Sequence, residues 1–178
     1  MLNKWKIFID YQREEEWINE MARKGYHFKE YTFCRYTFEK DEPGKYEYRM
    51  ELLEELPNTP DSKGYIDFME ENGIECVDTF IRWAYFRKET TDEPFEIYSD
   101  YTSRMSHMKR VIAIILAVSI ANLFLAIFNT FMGSMNSMSI NISYIAASLG
   151  LLAFLLMFVV FMKYKKNFKD LKEKSDVF

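Results

Sequence analysis

The sequence predicts an α+β domain followed by a two-helix membrane hairpin, and three observations carry that prediction. Residues 111–162 are a run of 52 positions without one Asp, Glu, Lys or Arg, more apolar surface than a small soluble domain can hide. The preceding 110 residues carry 17 basic and 24 acidic side chains, the composition of a solvated folded domain. Within them, alternating apolar segments are interleaved with two helix-spaced segments that start on capping residues. The full chain has 178 residues with 23 basic and 27 acidic side chains, net −4. The acidic head excludes a typical nucleic-acid binder, which shows a basic patch. Two separated cysteines, Cys34 and Cys76, fit a reducing compartment and offer neither a disulfide framework nor a zinc site.

In chain order, residues 4–9 read as a short strand in which Trp5, Ile7 and Ile9 alternate with Lys6 and Phe8. Asp10 caps a helix over residues 12–24, with Glu14, Glu15 and Glu16 at its positive end, Trp17, Ile18 and Met21 as its apolar stripe, and Gly25 as its stop. These acids read as a solvated helix end. Residues 27–40 and 45–53, separated by the turn signal Asp41-Glu42-Pro43-Gly44, read as a hairpin. Pro60 opens a second helix that Asn72-Gly73 ends, with Tyr65, Ile66, Phe68 and Met69 facing inward. Residues 74–88 read as one long, bent strand. The order β-α-β-β-α-β is that of a ferredoxin-like sandwich, with both helices on one sheet face.

The opposite face would gather Phe8, Phe33, Arg35, Arg49, Phe80, Arg82 and Phe86, an aromatic surface dotted with arginines. Covering by the chain itself or by a second copy is the plain expectation for such a surface. An anionic small molecule or acidic peptide held by the guanidinium forks is the sharper one. The net charge of −7 over residues 1–110 disfavours stacked RNA bases.

Residues 99–110 read as a helical connector running into the membrane, with Tyr101, Met105 and Met108 along one side. Residues 111–132 and 140–162 are membrane spans; 22 residues at about 1.5 Å each reach about 33 Å, enough for a hydrocarbon core of about 30 Å. Residues 133–139 form an external turn and 163–178 a basic tail with six lysines against three acids. Lysines and arginines flank the outer ends of the spans and none flanks the turn, so the cell membrane is crossed twice with both termini cytoplasmic. Ser119, Asn122 and Asn129 share a face of the first span, and Ala146, Ala147, Gly150 and Ala153 a small-residue face of the second, a pattern for helix packing or homo-oligomerisation. Asn141-Ile142-Ser143 matches a glycosylation sequon at the membrane edge.

Catalytic chemistry is not legible. His27 and His107 are lone residues, the six glycines form no phosphate loop, and neither GxSxG nor HExxH occurs. The expectation is a non-enzyme without metal or cofactor.

Several segments nevertheless resemble a known family. Trp5-Lys6-Ile7-Phe8, Glu16-Trp17-Ile18-Asn19-Glu20-Met21-Ala22, Lys24-Gly25-Tyr26-His27, Arg35-Tyr36-Thr37-Phe38-Glu39, Arg82-Trp83-Ala84-Tyr85-Phe86-Arg87-Lys88 and Tyr98-Ser99-Asp100 resemble DUF2812, a family of bacterial membrane proteins of unknown function. The resemblance covers about residues 4–110 and carries no catalytic residues over. It implies a membrane anchor and a neighbourhood shared with PadR-like transcription regulators. The expected function is a membrane-anchored regulatory or sensory module whose cytoplasmic domain binds a protein partner or small ligand. An accessory subunit of a transporter, or an immunity-type membrane protein, is the alternative.

Overall fold

The computed structural model describes residues 1–98, 100–135 and 140–175, without the side chains of Ile140 and Asn141. Ser99, most of the expected external turn (residues 136–139), the sequon asparagine's side chain and the end of the basic tail (residues 176–178) therefore lie outside the described residues. The chain divides into two compact units, Met1–Ser99 and Asp100–Phe178.

The first unit is mixed α and β: β1 (Leu2–Trp5), α1 (Tyr11–Arg23), β2 (Tyr26–Thr32), β3 (Arg35–Lys40), β4 (Tyr46–Leu52), α2 (Pro60–Glu71), β5 (Glu75–Phe80) and β6 (Trp83–Glu89). Both helices start where the capping chemistry puts them. The Asp10 carboxylate accepts from the Gln12 amide at 3.1 Å, and Thr59 caps α2 ahead of Pro60. Both also stop on a glycine with left-handed φ, Gly25 at +81° and Gly73 at +76°. At Gly25 a side chain is excluded twice over, because an added Cβ would stand 2.9 Å from the Asp41 carbonyl oxygen.

The sheet differs from the expected four-stranded layout. Residues 27–40 are not one strand but the hairpin β2–β3, turned at Phe33 and Cys34 with φ of +44° and +69°. Residues 74–88 likewise fold back at Ile81, φ +58°, into β5–β6. Neither turn contains Gly, Asn, Asp or Pro, so nothing in its composition announces it. The six strands form two antiparallel three-stranded sheets, ordered β1-β3-β2 and β4-β6-β5. The expected pairing of residues 27–40 with 45–53 does not form: both sides of β3 are occupied by β1 and β2, and β4 pairs with β6.

These sheets are two copies of one β-α-β-β unit. Gly25 matches Gly73, the bulge at Lys29 matches that at Val77, and the turn residue Phe33 matches Ile81, each pair 48 positions apart (73 less 25). In each copy the third strand lies between the first and second.

Two apolar clusters follow from strand alternation. Tyr48, Met50 and Tyr85 join Phe28, Tyr36, Phe38 and the α1 residues Ile18, Met21 and Ala22 in the larger one. Ala84 and Phe86, from the other face of β6, pack with Leu53, Met69 of α2 and Phe95. Helix α1 also closes the open edge of β4. Asn19 donates to the Tyr48 carbonyl at 2.9 Å and accepts from the Tyr48 amide at 2.8 Å, so its amide mimics a neighbouring strand.

The second unit is two long helices, α3 (Tyr101–Met135) and α4 (Ile140–Ser175), both long and apolar enough to cross a membrane. Asp100 caps α3 by accepting from the Ser103 amide at 2.8 Å. The helices meet through small residues: a Cβ added at Gly150 would lie 3.2 Å from the Asn122 carbonyl oxygen and 3.3 Å from the Ala126 Cβ. The remaining faces are apolar and open, with Phe124 65% and Val159 69% exposed.

Candidate functional site

The residues expected to form one aromatic and basic face are dispersed. Phe86 is fully buried in the cluster under α2. Phe33 stands exposed on the β2–β3 turn. Phe8 lies against Trp17 at 5.4 Å with Lys6 above both rings, and Phe80 lies against Tyr31 at 4.8 Å, so these two do border the larger cluster. Arg35 is half-buried at the start of β3. The other two arginines are engaged within the fold. Arg49 meets Glu47 at 2.6 Å and Glu15 at 3.7 Å, and Arg82 donates to the Leu53 and Glu54 carbonyls at 3.0 and 2.6 Å. Their forks hold the chain's own oxygens, which leaves them poorly placed to grip an anion.

In the second unit, Ser119 is buried and donates to the Ile115 carbonyl, while Asn122 and Asn129 donate to Val118 and Leu125 one turn back. Each of these side chains thus donates within its own helix. Gly150 and the buried Ala147 face α3, and Ala146 is half-buried beside them. His27 is buried, with Nε2 2.7 Å from the Glu42 carbonyl oxygen and its ring between Tyr46 and Tyr48, a structural placement.

A different group of residues has the character of a site. Glu14, read from the sequence as a solvated helix end, is half-buried on α1, one turn before Ile18 and two before Met21 of the core. Its Oε1 accepts from two tyrosine hydroxyls, Tyr36 of β3 and Tyr85 of β6, both at 2.8 Å. Three rings extend this arrangement. Tyr31 of β2 lies 4.8 Å from Tyr36 and 6.0 Å from Tyr85. Tyr11, one helical turn before Glu14, lies 5.1 Å from Trp83, which precedes Tyr85 by two on the same face of β6. Tyr36 and Tyr85 are buried, whereas Tyr11, Tyr31 and Trp83 are half-buried.

The electrostatics are one-sided. Burial raises the Glu14 carboxyl above its usual range, opposed by the Tyr36 and Tyr85 hydrogen bonds that favour the ionised form. Burial also raises the Tyr36 and Tyr85 hydroxyls, with the Glu14 charge adding to it, so both remain protonated donors. The neighbouring Glu15 is half-buried too, but it accepts from the Met50 amide at 2.7 Å and faces Arg49. Glu14 has no basic partner among the described residues. Its second oxygen, Oε2, accepts no hydrogen bond there either. Glu51 shows the contrast: Tyr65 and Tyr98 donate one to each of its oxygens at 2.6 Å.

Glu14 escaped the sequence reading because an acid in a first helical turn suits the dipole and looks solvated. Its spacing of three and four from Trp17 and Ile18 was the available signal that it lies on the apolar stripe. No cluster of His, Cys, Asp and Glu able to hold a metal ion occurs among the described residues. No curated protein and no solved structure matches the chain. A family model does, described as "Protein of unknown function (DUF2812)" and covering residues 10–120, which include both helices and all but the first strand of the first unit. With more than half its length matched, and Glu14, Tyr36 and Tyr85 inside the match, the chain belongs to the DUF2812 family.

Proposed function

We propose that this protein is a membrane-anchored regulatory or sensory module. Its N-terminal unit lies in the cytoplasm and binds a small ligand or protein partner, and its two long helices cross the membrane as a hairpin with both termini inside. The observation that carries the reading is Glu14, a half-buried acid fixed by two hydroxyls and lacking a basic partner among the described residues. An uncompensated, partly desolvated carboxylate costs stability and contributes no packing that glutamine would not. Retaining it suits a ligand site better than a core.

The membrane half of the reading is supported by the charge-free run of residues 111–162 and the exposed apolar faces of α3 and α4. Lys109, Arg110, Lys163, Lys165 and Lys166 at the outer ends of the spans support the orientation. The family resemblance points to a PadR-like regulator as its output. The asparagines of α3 bond along their own helix, so no polar path favours a transport role.

Labelling of intact cells with a membrane-impermeant maleimide tests this placement. A Ser137→Cys variant in a Cys34→Ser, Cys76→Ser background is expected to react from outside, and a Ser62→Cys variant in the same background only after permeabilisation and unfolding. Labelling of residue 137 only after permeabilisation would contradict the topology.

A further inference from the structure

Two three-stranded sheets have four edges, and the chain itself closes three of them. Helix α1 covers the β4 edge, where Asn19 bonds both backbone groups of Tyr48 and Glu15 accepts from the Met50 amide. The β2 and β5 edges meet each other: the Tyr31 amide donates to the Asp78 carboxylate at 2.7 Å, and the Tyr31 and Phe80 rings lie 4.8 Å apart. The β1 edge is open. Lys6 donates to the Cys34 carbonyl at 2.9 Å, so Leu2 and Lys4 are the β1 residues that bond β3, and the backbone N–H and C=O of Asn3 and Trp5 point the other way. These groups have no partner among the described residues. The repeat makes the opening a specific difference. In the second copy β1 corresponds to β4, which a helix closes through Asn19; the α2 residue that corresponds to Asn19 is Asp67 (67 less 19 is 48), and it is exposed.

The open strand is also chemically sorted. Trp5 is 73% exposed, Ile7 follows it exposed, and Phe33 stands exposed on the turn beside Cys34. Alternation sends Lys4 to the face opposite Trp5, and Lys6 lies over the Phe8 and Trp17 rings. Neither lysine, nor Arg35 across the ladder from Trp5, has an acidic partner among the described residues, although acids outnumber bases over residues 1–110. A second copy fits this edge poorly. Antiparallel pairing of Trp5 with Trp5 opposes Lys4 to Lys6, pairing of Trp5 with Asn3 opposes Lys4 to Lys4, and like charges facing each other in a ladder are destabilising. A lipid surface would take up the apolar side chains but leave the edge N–H and C=O groups unpaired in a poorly hydrated layer.

We propose that the β1 edge binds an extended segment of a partner protein by strand addition, and that this segment alternates acidic with apolar residues. Its backbone bonds the outward groups of Asn3 and Trp5, its acids meet Lys4 and Lys6, and its apolar side chains lie along Trp5 and Ile7. The first sheet then has four strands, in the order added strand, β1, β3, β2. This deepens the proposed function and rests on its premise that the N-terminal unit binds a protein partner; Glu14 takes no part in it.

The test uses the full chain in nanodiscs of zwitterionic lipid and short fluorescein-labelled peptides, with binding read by fluorescence anisotropy. In one peptide glutamate alternates with valine, in a second lysine replaces glutamate, and a third is the glutamate peptide with its backbone amides methylated. The glutamate peptide is expected to bind, and the other two to bind about tenfold more weakly or worse. Lys4→Glu combined with Lys6→Glu is expected to reverse the preference between the glutamate and lysine peptides. Should that double variant fail to fold, Lys4→Glu alone, at an exposed position, is expected to weaken the glutamate peptide about tenfold. Unchanged binding in the folded variant overturns the assignment to this edge. Equal binding of the methylated peptide shows attraction by charge alone and overturns strand addition. A wild-type dimer that the glutamate peptide dissociates gives the edge to a second copy and overturns the proposal as well. No binding of any peptide overturns strand addition alone, because the labelling experiment above reads membrane placement without involving β1.

Discussion

Three residues of α1, at positions 14, 15 and 19, set polar side chains against the strands. Each points a polar group at the interior, and each is handled differently. Asn19 satisfies both backbone groups of Tyr48 on the edge of β4. Asn19→Ala should cost about 2 kcal/mol, since it strands a buried donor and acceptor, measured by chemical denaturation of the purified chain. Glu14 works in the opposite sense. Its proton is held more tightly in the folded state than in the unfolded, so its contribution to stability is present below the unfolded pKa and is lost as pH rises through the raised folded pKa. Relative to wild type, Glu14→Gln should therefore gain stability at neutral pH and lose that advantage on acidification. Denaturation of both proteins at several pH values in a neutral detergent checks this. A variant uniformly less stable at every pH would show Glu14 to be structural. The sequence declares the residue types but not this division of labour, because spacing locates a side chain on a helix stripe and cannot say which strand hydroxyls will meet it.

At the level of elements, what was legible and what was not follow from turn chemistry. Both helices of the first unit are readable because Asp10, Thr59, Pro60, Gly25 and Gly73 act locally, each satisfying or relieving one backbone requirement. The hairpins β2–β3 and β5–β6 are not readable, because Phe33-Cys34 and Ile81-Arg82 are poor turn formers held in place by the strands on either side. Tertiary pairing overrides local preference there, at a cost. A β-branched residue in the left-handed region is strained by about 1–2 kcal/mol. Ile81 is 66% exposed and so has little packing to lose. Ile81→Asn should accordingly stabilise the protein by about 0.5–1 kcal/mol, read as a higher melting temperature. The arginine face is the matching misreading. It assumed one four-stranded sheet, whereas β6 sends Trp83 and Tyr85 to one cluster and Ala84 and Phe86 to another.

Across the molecule, the first unit is a β-α-β-β unit used twice, and only the first copy carries the acid. The position in α2 that corresponds to Glu14, 48 residues on, is the buried Ser62. The repeat supplies the two-sheet frame, and the copies differ at this position. The second unit was the more legible, since an uncharged stretch of 52 residues is long and apolar enough for two membrane-crossing helices and Gly150 marks where they approach. Gly150→Leu should drive α3 and α4 apart, because the Asn122 carbonyl oxygen and Ala126 are backbone-close and cannot yield as a flexible side chain would. A disulfide-trapping assay between engineered cysteines on facing positions of the two helices should lose yield in that variant. The claim on which the account most depends is that these helices lie in lipid with a folded head attached. Its most direct measurement is flotation of the full chain with membranes on a density gradient after alkaline carbonate washing. The protein is expected to rise with the lipid; recovery of the folded chain in the wash, without detergent, would contradict the account.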